Sequence, residues 1–486
     1  MSVDYKIYRL QMGPAKCGVD LGDGSERGEY VSQDYILKKL LRPHRNINLM
    51  YCYYPLDNEW PLRASKINED RKVSFAWDYK YDDYFPYEGG ITGNTEGEPF
   101  KSIKDIRKHG QDVTLTLTID CGVSNKHLKI LAQELKSYGR MQLRINHEAT
   151  GTWFAFNKRY TYKEVGDFYV RFHNIIKEEA PNISTILCIG SGPEKNNAKM
   201  PYESEFEKAI RISDIWSGDY YLALNWGWPF VIAETGGNSH KLSTVDQVFE
   251  DNRFSFERFK HINNGIEKPL VISEFNADGD VTGPFNQCKI MNDFYMKIKN
   301  EKATWLNGIT FYQFRDRGRL GLEIEDPNNK NIGIEQPILE TYKKIIQDPY
   351  FMPEMKITNE IKLPFKLRWG SFEDSEGIAF EINFESNPIF FEINFEEKDL
   401  NLMIEINNHW FYKAPGVKTL DLMEAFFKKS IKNNSKLYLK IFAPPTTGEN
   451  KINKNGDWLI NNYTNINKLP SLRIRYEAIE IKSYSP

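Results

Sequence analysis

No stretch of this 486-residue chain approaches the roughly 18 consecutive apolar residues of a membrane-spanning helix. The opening MSVDYKIYRLQMG also lacks the apolar core of a secretion signal. The chain is therefore expected in the cytoplasm, or outside the cell or at its surface if a leader has been removed. Charge of one sign is missing too: the net charge is −3, without the concentrated basic surface that nucleic acid or an anionic membrane demands. The five cysteines, Cys17, Cys52, Cys121, Cys188 and Cys288, are widely spaced and match neither a disulfide framework nor a metal site. Cys52 and Cys188 sit inside apolar runs, so buried thiols are expected. There is no Gly-x-Ser-x-Gly and no phosphate loop, and GSGPE (190–194) is a single glycine-rich turn after a strand. His147 has no second histidine one helical turn away, as a zinc protease needs. No metal and no cofactor are expected.

What is present is aromatic. Phe, Trp and Tyr make up 14% of the chain, and many stand in polar company, as in WDYKYDDYFPY (77–87) and YYLALNWGWPF (220–230). Aromatic faces stack on sugar rings while nearby carboxylates and amides take the hydroxyls, so this mixture suits a carbohydrate cleft, although core aromatics near loop ends would look the same.

Apolar, β-branched or aromatic runs predict strands at Cys17–Asp20, Ile47–Tyr54, Val73–Trp77, Val113–Ile119, Met141–Ile145, Thr185–Ile189, Ile215–Tyr221, Leu270–Ser273 and Gly308–Phe314. Helical patterns lie between them. In NKHLKILAQELKSYG the residues Leu128, Leu131 and Leu135 recur at helical spacing, Ser124 or Asn125 can cap the start, and Gly139 can end it. Further helices are predicted at Lys163–Glu179, Val245–Asn263, Cys288–Asn300 and Ile338–Gln347. Strand and helix alternating in this way predict a parallel sheet closed into a (β/α)8 barrel over residues 1–350. The nine strand candidates exceed the eight required, and either the first or the third must be accessory.

After Pro353 the pattern changes. In IAFEINFESNPIFFEINFEE the apolar residues alternate strictly, Ile378 to Phe384 and then Phe391 to Phe395, around the turn Ser386-Asn387-Pro388. This predicts a hairpin, and residues 351–486 as a whole predict an antiparallel β-sandwich. The sandwich can bind carbohydrate through Trp410, Tyr412 or Trp458, or simply pack against the barrel.

Barrel active sites lie at the carboxyl ends of the strands. Glu148 follows the strand that ends RIN, and Glu274 ends another in KPLVISEFNADGD. Counted in order these are strands 4 and 7, whose ends face each other across the barrel mouth. Glu234 in PFVIAETGG is a competitor, but LALNWGWP between Tyr221 and Phe230 is too short for a helical crossover, which favours Glu274.

At this point the residues carry a resemblance. RINHEATGTWFAF resembles the acid/base segment of glycoside hydrolase family 26, a family of retaining (β/α)8 enzymes, in its pattern Arg-x-x-His-Glu-x-x-Gly-x-Trp-aromatic-x-aromatic; Arg144, His147, Glu148, Gly151, Trp153, Phe154 and Phe156 fall in register. SDIWSGDYY is similar to that family's strand 6 in its Asp-x-Tyr, matched by Asp219 and Tyr221, and KPLVISEF is similar to its nucleophile segment. The similarity runs over about residues 13–347. Gly218 is one position out of register, Asp120 stands where the family has a histidine after strand 3, and Asn276 stands where it has Glu-x-Gly.

The resemblance implies Glu148 as proton donor and Glu274 as nucleophile, with no cofactor. Glu148 then needs a carboxyl raised by nearby aromatics and by Glu274, while Glu274 must be ionised. Tyr221 can donate to Glu274, and Arg144 can hold it or a neighbouring carboxylate. Regular pleating would turn His147 away from Glu148, but the resemblance places it at the sugar. Trp153 is the first candidate sugar platform, followed by Trp226, Trp228 and Phe314. The implied function is endo-hydrolysis of a polysaccharide, β-mannan first, then β-1,3-xylan or mixed-linkage glucan. A carbohydrate-binding protein that keeps the fold without turnover is the alternative.

Overall fold

The computed structural model describes residues 4–22, 30–57, 60, 84–190, 192–194, 198–225, 240–316, 318–369, 375–427, 429–444 and 462–477. Eight strands, β1 (Gly18–Gly22), β2 (Asn46–Tyr53), β3 (Asp112–Ile119), β4 (Met141–Ile145), β5 (Ile183–Cys188), β6 (Ile215–Asn225), β7 (Leu270–Ala277) and β8 (Gly308–Phe311), pair in parallel in that order. β8 returns to β1, which closes the barrel. The first strand candidate is β1, so the surplus candidate is Val73–Trp77, which lies outside the described residues.

The helices form where local signals put them. Ser124 caps Asn125–Lys136 by accepting from the His127 amide, and Gly139 follows at φ 88°, a conformation that glycine adopts without strain. Thr161 and Glu164 close a capping box on Tyr162–Glu179, and Thr244 caps Val245–Ile262. Pro284 and Pro337, which lack an N–H where a helix has no use for one, open Pro284–Glu301 and Pro337–Ile345. The apolar faces of these helices cover the outside of the barrel in one continuous core.

The barrel floor is polar. Arg45 makes a bidentate pair with Asp20, at 2.8 and 3.1 Å, and both are buried. Gly18 and Gly308 face each other across β1 and β8, and a Cβ on either would lie 2.3 or 2.2 Å from the guanidinium, so bare backbone is what admits this arginine. β6 continues past its barrel neighbours to pair antiparallel with His240–Leu242. The next parallel strand is β7, which carries Glu274; Glu234 lies outside the described residues.

The C-terminal residues build antiparallel sheets around a separate apolar core. The larger sheet runs in the order Glu354–Thr358, Tyr5–Gly13, Ser375–Phe384, Ser435–Phe442, Leu402–Ile406, His409–Lys413, with Phe365–Trp369 and Asn462–Ile466 alongside. The smaller sheet holds Thr419–Asp421, Phe390–Asn394 and Ser471–Arg475. Tyr5–Gly13, counted with the barrel in the sequence reading, is thus laid between two strands from the other end of the chain, and Leu10 and Met12 enter the C-terminal core.

The expected hairpin does not form. Ser375–Phe384 pairs with Tyr5–Gly13 and Ser435–Phe442, whereas Phe390–Asn394 pairs in the other sheet. The two similar segments face each other across the core, with the rings of Phe384 and Phe391 edge to face at 5.6 Å. Alternation says which side of a strand is apolar but not which strand lies beside it. Trp410, 9% exposed, stacks on Phe442 and packs inside this core, so it is no carbohydrate platform; Tyr412 is part-buried, and Trp458 lies outside the described residues.

Candidate active site

The ends of β4, β6 and β7 bring four ionisable groups together. One donor atom from each of His147, Glu148, Asp219 and Glu274 lies within 4.8 Å of the others. Register explains part of this. Glu274 on β7 is directly opposite Asp219 on β6, with a register shift just before it, and Asn276 is opposite Tyr221. Two carboxylates side by side on neighbouring strands repel. Arg144, fully buried on β4, separates their charges: Nη1 donates to Glu274 Oε1 at 3.0 Å, and Nη2 donates to Asp219 Oδ2 and lies 3.1 Å from Cys188 Sγ.

His147 and Glu148 both reach the cluster because the backbone leaves the pleat around them. Asn146 has φ 55° and Glu148 φ 33°, both left-handed, so alternation stops where β4 ends. Asn146 tolerates this conformation and accepts the Ile119 amide from β3 at 2.7 Å. Glu148 has no such ease, and the surrounding loop holds it. Gly151 N–H donates to the Glu148 carbonyl at 2.7 Å, Ala149 N–H donates to Cys188 on β5 at 2.9 Å, and Thr150 Oγ1 accepts the Gly190 amide at 2.6 Å. A Cβ on Gly151 would sit 2.9 Å from the Phe154 ring, which is why this motif position is glycine.

Glu274 is the carboxyl best supplied with donors. It is 4% exposed, accepts from Arg144 and from the Tyr221 hydroxyl at 2.8 Å, and lies 3.1 Å from His147 Nε2. Burial and the Asp219 charge still push its carboxyl up, against the opposing pull of Arg144 and Tyr221. Burial, then Asp219 and Glu274, drive the half-buried Glu148 carboxyl well above the usual range, and it shares a hydrogen bond with Asp219. One guanidinium cannot offset three carboxylates in so dry a place, so the proton belongs on Glu148, the group with the fewest donors. Burial and Arg144 hold His147 well below its ordinary value, leaving a neutral ring with Nε2 3.1 Å from Glu274. The same four atoms are close enough to grip a divalent cation, but Arg144 already supplies positive charge to two of the carboxylates. Proton handling is the chemistry this set suits.

A raised carboxyl costs stability. Between the unfolded value of about 4.5 and its higher folded value, Glu148 binds more protons folded than unfolded, so stability falls as pH rises through that window. Glu148→Gln keeps a donor towards Asp219 and removes the titration. Its melting temperature is expected to match the parent near pH 4 and exceed it at pH 8 by a few degrees, on the order of 1 kcal/mol, in calorimetric scans across pH.

The aromatics divide. Trp153 is 47% exposed, its ring 5.7 Å from that of Phe154, and so keeps a face open to solvent. Phe154, 5% exposed, lies against His147 at 4.8 Å and stacks on Phe156 at 5.5 Å, so it is a wall behind the histidine and not a sugar platform. Phe314 is fully buried, edge-on to Tyr35 at 6.0 Å, and has no surface to offer a sugar. Trp226 and Trp228 lie outside the described residues. Tyr84 adds an unforeseen ring against His147 at 5.6 Å. Asp120 is committed elsewhere, to Arg159 at 2.6 Å, the Tyr160 hydroxyl at 2.6 Å and the Gly122 amide at 2.8 Å. Asp219 is the residue that sequence reasoning undervalued, naming it in the Asp-x-Tyr pattern but not in the site. Its spacing of two from Tyr221, which puts both on one face of β6, is the signal that could have found it.

No protein-family model matches the chain, and no curated protein matches it. Among solved structures, it is similar to a glucosidase from Croceicoccus marinus with 9% identity and a TM-score of 0.45, over 89% of this chain and 96% of that one. A GH26 β-mannanase from Bacteroides ovatus aligns with 9% identity and a TM-score of 0.40 over 69% and 89%. A family 1 β-glucosidase from Thermotoga maritima aligns with 11% identity and a TM-score of 0.44 over 69% and 99%. At such identities and scores these likenesses bear on neither substrate nor mechanism.

Proposed function

We propose that this protein is a retaining, endo-acting glycoside hydrolase that cleaves a β-linked polysaccharide, β-mannan before β-1,3-xylan or mixed-linkage β-glucan. The observation that carries this reading is the pair Glu148 and Glu274, from β4 and β7, with carboxylate oxygens within 4.8 Å and unequal hydrogen bonding, since Arg144 and Tyr221 donate to Glu274 while burial, Asp219 and Glu274 favour a proton on Glu148. Retaining hydrolysis uses two carboxyl groups about 5 Å apart, one protonated and one ionised; inversion leaves room for a water between them.

The chemistry follows from the surroundings. Glu274 attacks the anomeric carbon as the bond to the leaving oxygen breaks, and Glu148 gives that oxygen its proton. Glu274 is then esterified to the sugar, and Glu148, now ionised, takes a proton from water as that water attacks the same carbon and frees Glu274. Loss of the Glu274 charge lets Glu148 ionise in the second step. Arg144, His147 and Tyr221 hold Glu274 in line and steady its charge. The choice of β-mannan rests on the resemblance of RINHEATGTWFAF and KPLVISEF to glycoside hydrolase family 26.

Reducing-sugar release from β-mannan, β-1,3-xylan and mixed-linkage glucan tests the reading, with proton NMR of the first product recording its anomer. Fresh β-anomer is expected. Binding with no release from any polymer would leave a carbohydrate-binding barrel instead, and fresh α-anomer would rule out retention. Trp153→Ala is expected to raise KM about tenfold with kcat little changed, since an exposed stacking face contributes on the order of 1 kcal/mol to holding sugar.

A further inference from the structure

Asn276 stands two residues after Glu274, where the resemblance has glycine, and it does what glycine cannot. Backbone pairing between β7 and β8 ends with Phe275 opposite Phe311 and the Tyr312 amide donating to the Phe275 carbonyl at 3.1 Å. Beyond this the Asn276 side chain takes over from the ladder. It is fully buried; Nδ2 donates to the Tyr312 carbonyl and, at 2.5 Å, to the Leu320 carbonyl, while Oδ1 accepts the Ala277 amide at 2.7 Å. The amide orientation is forced, because two carbonyls can only accept.

Tyr312, 6% exposed, sets its ring edge-on against Tyr221, with centroids 6.0 Å apart at 81°. Tyr221 in turn donates to Glu274 Oε2. On the other side of β7, Asn276 is the cross-strand partner of Tyr221 itself. One residue therefore meets Tyr221 from two directions, as its backbone partner across β7 and β6 and, by its side chain, through the carbonyl of Tyr312 whose ring lies against Tyr221.

We propose that Asn276 is a positioning residue that anchors Tyr312 and so keeps the Tyr221 hydroxyl on Glu274. The proposal rests on Glu274 being the nucleophile. Without the amide, the carbonyls of Tyr312 and Leu320 lose a donor in a buried place, the end of β8 shifts to find others, and the ring that holds Tyr221 moves with it.

Carbon-13 titration of the labelled glutamate carboxyls in the full chain tests this without substrate. Asn276→Ala is expected to raise the Glu274 titration by about one pH unit, as Tyr221→Phe does, and the double variant should shift no further. On a cleaved glycan, the acid limb of kcat/KM should move up by the same amount, with kcat falling more than KM changes. An unchanged Glu274 titration in Asn276→Ala, with only the melting temperature lowered, would overturn the proposal. If Asn276→Ala does not fold, Asn276→Gly, which supplies no donor, takes its place with the same two outcomes. Failure of the wild type to cleave any glycan would count against the proposed function alone, since the carboxyl titration needs no substrate.

Discussion

Glu274→Gln is expected to lower kcat by about 10⁴-fold or more on the glycan that the wild type cleaves, with the fold intact. The amide is nearly the same size and still fills the place among Arg144, His147 and Tyr221, but it cannot form the ester. Circular dichroism and melting temperature separate chemistry from unfolding. Glu274 is buried against a guanidinium, and the neutral variant leaves Asp219 as the carboxylate paired with Arg144. Activity that survives this substitution would move the nucleophile to Glu234.

Glu148→Ala is expected to lower kcat/KM on polymer by about 10³-fold, yet leave the first step on an aryl glycoside with an acidic phenol nearly unchanged. A leaving group that is stable as an anion needs no proton, whereas a sugar alkoxide does. Turnover should then stall at the ester, because no base activates water. Added azide attacks without that help and should restore turnover, giving a β-glycosyl azide detectable by mass spectrometry. Asp219 shares a hydrogen bond with Glu148 and is the competing candidate. If azide does nothing for Glu148→Ala but restores Asp219→Asn, the acid/base role passes to Asp219.

The pH dependence should follow from the same groups. Activity needs Glu274 ionised and Glu148 protonated, giving a bell whose upper limb lies well above a free carboxylic acid because burial and two neighbouring charges hold the Glu148 proton on. The lower limb belongs to Glu274, also raised, so the bell should be narrow and displaced upward.

Local features carried much of this into the sequence. Caps and helical spacing at Ser124, Thr161 and Thr244 mark helices whatever lies beyond them, and the short link after Tyr221 favoured Glu274 over Glu234 through chain length alone. That Glu148, Glu274, Arg144 and Tyr221 come together was legible for the same reason, since each stands at or just past the end of a predicted strand.

Depth and partnership were not legible. Phe314 and Trp410 look like Trp153 in sequence, and only packing makes the first two core residues and leaves the third exposed. Asp219 acquires its weight from lying opposite Glu274 and beside Arg144, residues 55 and 75 positions away in the chain. The left-handed turns at Asn146 and Glu148 bring two neighbours in sequence to the same place, against their alternation. By itself the sequence determined that strands and helices alternate, where two carboxylates end two of those strands, and that an antiparallel module follows. Only the tertiary structure decided that Tyr5–Gly13 joins that module, that the two FEINFE segments face each other instead of pairing, and that one arginine serves two carboxylates. Periodicity and capping are settled within a few residues of chain, whereas burial, strand partners and the sharing of charge depend on groups that only folding brings together.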